Sequence, residues 1–267
     1  LREAGHWVIS MDRFAKTRPN YNEFDCDLRQ PGEVMDALLE LRPDAVIHLA
    51  ANPSPFGKPR HLTFTENVGM CWTVFQTAAD LGIMTLAYAS SEQANGWSSA
   101  RTCPERFPVD EASATPPQSA YALSKLVGEQ VADSIAAQYP ALSIASLRIN
   151  YVMDPDHHEK IPQWAAQWPG SHANFWAYVD ARDAAHAFRL AVEKPIPGHR
   201  VYMVAADDLM LERPTRDAIR DQFGEHIRVD ERVREFGSTI DCGRIERDLG
   251  WRPKYSWRSV SPATRVE

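Results

Sequence analysis

The stretch MTLAYASS, residues 84–91, is an almost unbroken apolar run that ends in two serines. Such runs are typical of strands that are covered on both faces of a parallel sheet. Two more runs share this character, DAVIHLAA at 44–51 and LSIASLRI at 142–149, and helical patterns alternate with them at 31–43, 66–82 and 118–140. Because alternating strands and helices build parallel sheets, the sequence predicts an α/β protein with a doubly wound parallel sheet.

The second half of the chain departs from this regular alternation. Residues 153–176 contain three prolines and three tryptophans, which indicates a loop-rich segment rather than another strand–helix unit. Other patterns predict a strand at 6–10, a helix at 180–195, a strand at 200–205 and a helix within 239–251. We therefore predict two domains: a sheet domain over 1–150, and a small C-terminal substrate lobe over 151–267 that is interleaved with the last sheet elements.

The composition excludes several kinds of partner. A formal net charge of -7 and a pI near 5.7 disfavour nucleic acid and anionic membranes, since both bind basic surfaces. No apolar run approaches the ~20 residues that span a bilayer, and no signal peptide opens the chain. The four cysteines are scattered without CxxC spacing, which predicts free thiols, no metal site and a cytoplasmic location.

A tyrosine and a lysine, Tyr121 and Lys125, lie four residues apart in the helical pattern SAYALSKLVGEQ. Residues i and i+4 share a helix face, so both side chains can reach one substrate. A neighbouring ammonium favours the phenolate and lowers the pKa of a tyrosine, which suits Tyr121 to general acid–base chemistry near neutral pH. Ser91, at the carboxyl end of the predicted strand 84–91, supplies a hydroxyl for the same reacting oxygen. The three residues predict a catalytic site at the sheet edge where doubly wound folds bind ligands.

Several segments together resemble the extended short-chain dehydrogenases/reductases of the NAD-dependent epimerase/dehydratase type. AYASSEQANG resembles the SSxxVYG segment of that family, and YALSK matches its YxxxK. VIHLAA resembles the strand and turn that pass beneath the cofactor, ENVGMCWTV the NVxGT helix start, and LGWRPKYSW the LGWxP segment near the end. The resemblance runs from the first residues to about 258 and implies a Rossmann-like fold.

The resemblance implies a role for each catalytic residue. Tyr121 would exchange a proton with a substrate hydroxyl while hydride passes between that carbon and nicotinamide. Lys125 would bind the nicotinamide ribose and lower the pKa of Tyr121, and Ser91 would bind the reacting oxygen.

The resemblance also implies a set of residues that bind the cofactor. Asp12 matches the acidic residue that binds the adenosine ribose hydroxyls, which favours NAD over NADP because a carboxylate repels a 2′-phosphate. Arg13 follows directly and could accommodate a phosphate, so NADP is the less favoured alternative. The other matched positions are Asp27 and Leu28 beside the adenine, Leu49, Ala50 and Ala51 against the pyrophosphate and ribose, and Asn67, together with Tyr121 and Lys125.

The largest departure from the family pattern lies at the start of the sequence. The family begins with a strand and a glycine-rich turn that binds the pyrophosphate, roughly 20 residues before the acidic residue. Here the sequence starts eleven residues before Asp12, so this first strand and turn are missing, and no GxxGxxG occurs elsewhere. Three explanations are open: a truncated product, a segment upstream of Leu1, or a protein that has abandoned dinucleotide binding. Sequencing the gene upstream of Leu1 would separate them.

We predict an NAD-dependent oxidoreductase that acts on a secondary alcohol of a sugar or sugar acid. The chain is compact for a nucleotide-sugar enzyme, and ASSEQANG resembles the uronate dehydrogenase branch. The predicted substrate-binding residues are Ser91, Glu92, Asn150 and Tyr151, of which Tyr151 stands where the family generally has asparagine. The alternatives are a nucleotide-sugar epimerase or dehydratase, for which Glu92 would be the added acid, and a degenerate, non-catalytic member that serves as a scaffold.

The family resemblance also predicts the assembly. Its members usually dimerise through two helices of the sheet domain. We therefore predict a homodimer in which helices 66–82 and 118–138 form a four-helix bundle across a two-fold axis.

Overall fold

The computed structural model describes residues 1–13, 22–53, 59–97, 103–113, 115–167 and 174–259. The strands in these ranges are β1 (Ile9–Asp12), β2 (Asn22–Asp25), β3 (Val46–His48), β4 (Thr85–Ser91), β5 (Arg106–Phe107), β6 (Ser143–Ile149), β7 (Tyr151–Met153), β8 (Tyr178–Asp180), β9 (Gly198–Val204) and β10 (Arg228–Val229). The α-helices are α1 (Pro31–Leu41), α2 (Arg60–Asp80), α3 (Ala120–Gln138), α4 (Ile161–Gln167), α5 (Ala181–Glu193), α6 (Thr215–Phe223) and α7 (Gly243–Leu249).

The strands confirm the predicted fold class. Four of them form one sheet in the order β3-β4-β6-β9, and β3 runs parallel to β4 with Ile47 opposite Ala87. A parallel pair is formed by β1 and β2, in which Asp12 lies opposite Asp25. The pairs β7–β8 and β5–β10 are also parallel. The protein is therefore a Rossmann-like α/β protein built on parallel strands.

The chain divides into two compact units whose segments alternate along the sequence. The first unit contains Leu1–Ser90, Ser119–Ser146 and Phe188–Val201, and the second contains Ser91–Gln118, Leu147–Ala187 and Tyr202–Glu267. The chain leaves the first unit at Ser91 and returns to it twice, at Ser119 and at Phe188.

Each unit has its own hydrophobic core. In the first unit, Phe75 of α2, Leu86 of β4 and Ile135 of α3 are fully buried in one cluster. The core of the second unit is more aromatic, and Trp97, Phe107 and Phe175 pack together with ring centroids 5.0 to 5.1 Å apart. None of the helices in the described ranges combines the length and the apolar character that crossing a bilayer requires.

Local sequence signals explain where the main helices begin and end. Pro31 occupies the first turn of α1, where its missing N–H costs nothing. Ser119 caps α3, since its side chain accepts a hydrogen bond of 3.0 Å from the Ala122 N–H. After α2, Gly82 adopts a positive φ of 75°, a conformation that favours glycine and stops the helix.

The predicted element boundaries needed several corrections. The strand predicted at 6–10 begins at Ile9, because pairing with β2 starts there and Trp7 is 79% exposed. The helix predicted at 66–82 starts six residues earlier, at Arg60, directly after Pro59, which occupies its N-cap position. In the segment predicted to be loop-rich, β7, a 3₁₀ turn at Pro155–Lys160 and α4 are short regular elements.

Candidate active site

Tyr121 and Lys125 lie on successive turns at the start of α3, as their spacing predicts. Lys125 is 3% exposed, and its Nζ atom donates a hydrogen bond of 2.6 Å to the carbonyl oxygen of Ala89 on β4. The same Nζ atom lies 5.6 Å from the ring centroid of Tyr121 and 5.0 Å from that of Tyr88. The ammonium therefore sits against the ring of the predicted catalytic tyrosine, at a distance suited to a cation–π interaction.

Burial lowers the pKa of Lys125 to about 8, because an ammonium group is less stable away from water. Cys71 and Glu129 act in the opposite direction through their charges and raise it. The imidazole of His48 stacks on Tyr88 with ring centroids 5.7 Å apart. Burial, the larger cause, and the positive charge of Lys125, the smaller one, lower the pKa of His48 to about 3. His48 is therefore neutral at physiological pH.

Gly128 allows α3 to approach β4 closely enough for the lysine contact. A Cβ atom at this position would lie 2.6 Å from the Tyr88 hydroxyl oxygen and 3.1 Å from the Cys71 sulfur. Both distances are shorter than ordinary van der Waals contacts, so a larger residue would have to displace Tyr88 and Cys71 or the helix itself. The missing side chain at position 128 therefore lets α3 pack closely on β4 beside Lys125.

A buried chain of hydrogen bonds joins α2 to the first turn of α3. The Asn67 Nδ2 atom donates to the Ser124 Oγ at 3.0 Å, and the Ser124 hydroxyl donates to the Tyr121 carbonyl oxygen at 2.7 Å. The Asn67 Oδ1 atom accepts a bond of 2.7 Å from the Asn52 N–H, in the turn after β3. Asn67 therefore fixes both that turn and, through Ser124, the backbone at Tyr121.

The predicted cofactor residues of the first unit stand at the carboxyl ends of parallel strands. Asp12 ends β1 and is exposed, while Leu49, Ala50 and Ala51 follow β3 directly. Leu49 is 59% exposed, and the two alanines add only methyl groups to the turn that Asn67 holds. In the described residues, an exposed carboxylate and small side chains at these strand ends could accommodate the ribose and the pyrophosphate of NAD.

Asp27 is held by a neighbouring arginine. The Arg29 guanidinium donates to both Asp27 carboxylate oxygens, with distances of 2.5 to 3.1 Å, and lowers the pKa of Asp27 to about 2. Arg29 Nη1 also lies 3.3 Å from Glu66 Oε1, and Glu66 accepts a bond of 2.9 Å from Asn52. Leu28, between the two, is partly buried against the core. The Asp27 carboxylate is therefore ionised and fixed in place.

Ser91 and Glu92 belong to the second unit, at the end of β4. The Ser91 hydroxyl donates a bond of 2.9 Å to the Glu92 carboxylate and accepts one of 3.2 Å from the Gln93 N–H, which caps a 3₁₀ turn. Burial raises the pKa of Glu92 to about 7, against the Ser91 hydrogen bond, which lowers it. Near neutral pH the Glu92 carboxyl group is therefore only partly ionised: the carboxylate accepts from the Ser91 hydroxyl, and the protonated acid can instead donate to the Ser91 oxygen.

Asn150 and Tyr151 have different surroundings, although they are adjacent. Asn150 is buried, and both its backbone N–H and its Nδ2 atom donate to the Val204 carbonyl oxygen, at 3.1 and 3.3 Å. Its Oδ1 atom has no hydrogen-bond partner within the described residues. Tyr151 begins β7 and is 48% exposed. Asn150 is therefore bonded to β9 and has one acceptor atom without a partner among the described residues. Tyr151 is the accessible residue of the two.

The structure brings together one group of the predicted residues in each unit. Tyr121, Lys125 and Asn67 are linked in the first, and Ser91 and Glu92 in the second. In the described part of the chain, no group of three or more histidine, cysteine, aspartate and glutamate side chains is arranged to hold a metal ion.

Four of the contacting residues that the sequence analysis missed have side chains that bond directly to members of the site or to each other, namely Ser124, Glu129, Ser90 and Arg29. Two of them could have been predicted from their spacing. Ser124 lies three residues after Tyr121 and Glu129 lies four residues after Lys125, on or near the same face of α3. Ser90 and Arg29 could not be predicted from spacing, because their contacts with Glu129 and Asp27 depend on how the chain folds.

A parallel α/β fold that carries a tyrosine–lysine pair beside strand ends suited to a dinucleotide defines the class of NAD-dependent short-chain oxidoreductases and epimerases. The sequence pattern of the NAD dependent epimerase/dehydratase family matches residues 1–205, and the chain belongs to this family. It is an enzyme family, and NAD is its cofactor.

Individual relatives are distant. The chain is similar to an NAD-dependent glucose-6-phosphate dehydrogenase of Haloferax volcanii, with 25% identity over 171 residues, 61% of each protein. It is also similar to an L-arabinose 1-dehydrogenase (NAD(P)+) of the same organism, with 27% identity over 175 residues, 62% of this chain and 67% of the relative. The first match thus spans less than two thirds of the relative's length.

The fold is also that of a solved epimerase. UDP-glucose 4-epimerase from Bifidobacterium longum in complex with NAD+ and UDP superposes with a TM-score of 0.69 at 18% identity, covering 95% of this chain and 88% of the epimerase. At this identity the likeness concerns the fold alone.

Proposed function

We propose that the protein is an NAD-dependent oxidoreductase that acts on a secondary alcohol of a sugar or sugar acid. The observation that carries the proposal is the buried Lys125 ammonium, which is fixed on the Ala89 carbonyl and lies 5.6 Å from the Tyr121 ring. A positive charge held there stabilises a tyrosinate, which a general base for an alcohol proton requires.

In this proposal each residue has a defined task. NAD, when bound, supplies the acceptor for the two electrons that leave the carbinol carbon. Tyr121 takes the hydroxyl proton, Lys125 binds the ribose and stabilises the Tyr121 anion, and Ser91 binds the reacting oxygen. Asp12 binds the adenosine ribose, with NAD preferred to NADP. The other cofactor contacts are Asp27, Leu28, Leu49, Ala50, Ala51 and Asn67.

A sugar substrate is supported by the chain's relatives. Two of the relatives are an NAD-dependent glucose-6-phosphate dehydrogenase and an L-arabinose 1-dehydrogenase (NAD(P)+), which supports a sugar substrate for this chain. Glu92, Asn150 and Tyr151 are the proposed substrate contacts beside Ser91. Asn150 offers an acceptor atom that has no partner among the described residues, and Tyr151 is 48% exposed, so both suit a substrate rich in hydroxyl groups.

A second candidate is a dehydratase or epimerase reaction of a nucleotide sugar. Glu92 favours the dehydratase, because a buried carboxyl group with a pKa near 7, adjacent to Ser91, can donate a proton as well as accept one.

A cytoplasmic location and a homodimer complete the proposal. Leu62 and Trp72 of α2 and Leu123 of α3 are exposed apolar residues that would be covered in such a dimer.

The test is to measure NADH formation from a panel of aldoses, aldose phosphates and uronic acids, with product analysis for epimers and dehydrated sugars. Tyr121→Phe removes only the hydroxyl and is expected to lower kcat at least ~100-fold while the fold is retained. Tyr139→Phe, at the other end of α3, is the matched control, because its hydroxyl contacts only Gln76 and Asp80 among the contacts found. Unchanged kcat in Tyr121→Phe would refute the assignment, and epimer without net NADH would favour the second candidate.

A further inference from the structure

Two successive turns of α3 make contact with two successive residues of β4. Lys125 Nζ donates to the Ala89 carbonyl oxygen at 2.6 Å. One turn further on, Glu129 accepts a hydrogen bond of 2.5 Å from the hydroxyl of Ser90. Helix and strand are thus tied by a main-chain contact and a side-chain contact, in the same order along both elements.

A glutamate is unusual at a buried position of a helix, and Glu129 is only 3% exposed. A buried carboxylate is costly unless a hydrogen bond and an opposite charge compensate it. Ser90 supplies the hydrogen bond. The opposite charge is that of Lys125, whose Cβ lies about 5–6 Å from that of Glu129, as for any i,i+4 helical pair. The two charges stabilise each other in surroundings that exclude water.

We propose that Glu129 is a positioning residue that keeps Lys125 protonated and directed at Ala89 and Tyr121. This inference deepens the proposed function, since it concerns the lysine on which that function rests. Tyr121, Lys125 and Glu129 follow one another at i, i+4 and i+8, so the phenol, the ammonium and the carboxylate lie in sequence along one face of α3. Along the helix, Glu129 lies one turn after Lys125 and Tyr121 one turn before it, and the Glu129 carboxylate is held by Ser90.

The other titratable groups around Lys125 are poor substitutes for Glu129. Tyr88 of β4 and His48 of β3 are buried and neutral at physiological pH, because burial raises the pKa of Tyr88 and lowers that of His48. Burial likewise raises the pKa of the Cys71 thiol on α2. Two groups raise the pKa of Lys125 through their charges, Cys71 and Glu129, and of these only Glu129 carries a carboxyl group.

The experiment measures the protonation of Lys125 directly, without substrate or cofactor. The pH titration of its side-chain Cε–Hε resonance is followed by NMR in protein carrying ¹³C-lysine, and the resonance is assigned by its loss in Lys125→Arg. In Glu129→Gln the amide can still accept from Ser90, so the hydrogen bond is kept and only the charge is lost. Because the carboxylate raises the pKa of Lys125, its removal is expected to lower the titration midpoint by about one pH unit.

Two further variants separate the charge from the hydrogen bond and from general effects. Ser90→Ala removes the bond but keeps the carboxylate, and its midpoint is expected to stay within a few tenths of the wild-type value. Asp133→Asn removes a negative charge from the solvent side of the same helix and is expected to leave the midpoint unchanged. If Glu129→Gln does not fold, Glu129→Asp retracts the carboxylate by one methylene group and is expected to shift the midpoint in the same direction by less.

An unchanged midpoint in folded Glu129→Gln would overturn the proposal and leave Glu129 as a tie between α3 and β4. The same holds for an unchanged midpoint in Glu129→Asp, should that variant be needed. In an active protein, the alkaline limb of the kcat profile should move to lower pH together with the NMR midpoint. If no substrate is turned over, the proposed function fails, while the NMR shift still decides the role of Glu129.

Discussion

Asn67 of α2 and Ser124 of α3 are joined by a buried hydrogen bond of 3.0 Å, and Ser124 passes the connection on to the carbonyl oxygen of Tyr121. The first turn of α3 is therefore fixed from α2 as well as by its own cap. Since Asn67 also holds the turn after β3, one side chain aligns the predicted cofactor turn with the predicted catalytic tyrosine.

Removing this connection should cost stability. Ser124→Ala leaves the Asn67 amide with a weaker alternative, the Asn52 carbonyl at 3.3 Å, inside the protein. Loss of a buried hydrogen bond of this kind is expected to lower the free energy of unfolding by about 1–3 kcal/mol. Urea denaturation measures the change, and Ser134→Ala on the exposed face of α3 is the matched control. Equal stability of the two variants would show that the Asn67–Ser124 bond contributes nothing.

Glu92 should make stability depend on pH. Its pKa is raised in the folded protein from 4.5 to about 7, so the folded state binds more protons than the unfolded state between these values. The stabilisation by Glu92 is therefore complete below about pH 4.5 and is lost as the pH rises through about 7. Its size is on the order of 3 kcal/mol, since one pKa unit corresponds to about 1.4 kcal/mol.

Glu92→Gln provides the comparison, because the amide stays neutral at every pH. The free energy of unfolding of the wild type, measured relative to Glu92→Gln in urea, should fall between pH 4.5 and pH 7.5. Parallel stability curves for the two proteins would contradict the burial of an ionisable Glu92.

The proposed homodimer can be tested at Trp72. This side chain is 50% exposed in the middle part of α2, three residues before the core residue Phe75. Trp72→Glu places a charge in the proposed four-helix bundle and is expected to convert the dimer to monomer in sedimentation at micromolar concentration. The same replacement at Trp7, which is 79% exposed on the chain before β1, should leave the dimer intact. A wild-type monomer would refute the proposal.

Cofactor choice should depend on Asp12. Replacing its carboxylate in Asp12→Asn removes the group that repels a 2′-phosphate and binds ribose hydroxyls, so NAD should bind at least several-fold more weakly while NADP is unaffected or improved. Calorimetric titration with each dinucleotide measures both affinities. Asp44→Asn, at the amino end of β3, is the charge-matched control. A ratio of NAD to NADP affinity that is the same in both variants would exclude Asp12 from the cofactor site.

The periodic features of the sequence were enough to predict the central elements. The apolar run that became β4 and the i,i+4 pair on α3 depend on local patterns, and the structure has both where they were predicted. The polar strand β2 and the helix α6 were not predicted, because NEFD has no apolar alternation and TRDAIRDQF is short and highly charged. In such segments tertiary contacts outweigh the local preference.

The partners within the site were harder to predict than its members. The hydrogen bond from Lys125 to the Ala89 carbonyl could not be predicted, because a backbone acceptor leaves no trace in the sequence. Glu129 looks like a solvated helix residue, yet it is buried against Ser90. Both contacts depend on how closely α3 packs on β4, a distance that periodicity does not encode.

Gly128 sets that distance, and this has a consequence for protein engineering. Since even one methyl group there would meet the Tyr88 hydroxyl, a larger residue at position 128 is expected to displace Tyr88 or to push α3 away from β4, and so to disturb the contact between Lys125 and Ala89. Directed evolution toward new substrates should therefore leave the residues at the contact between α3 and β4 unchanged. It should instead vary the exposed residues around Tyr151, where larger side chains do not disturb that contact.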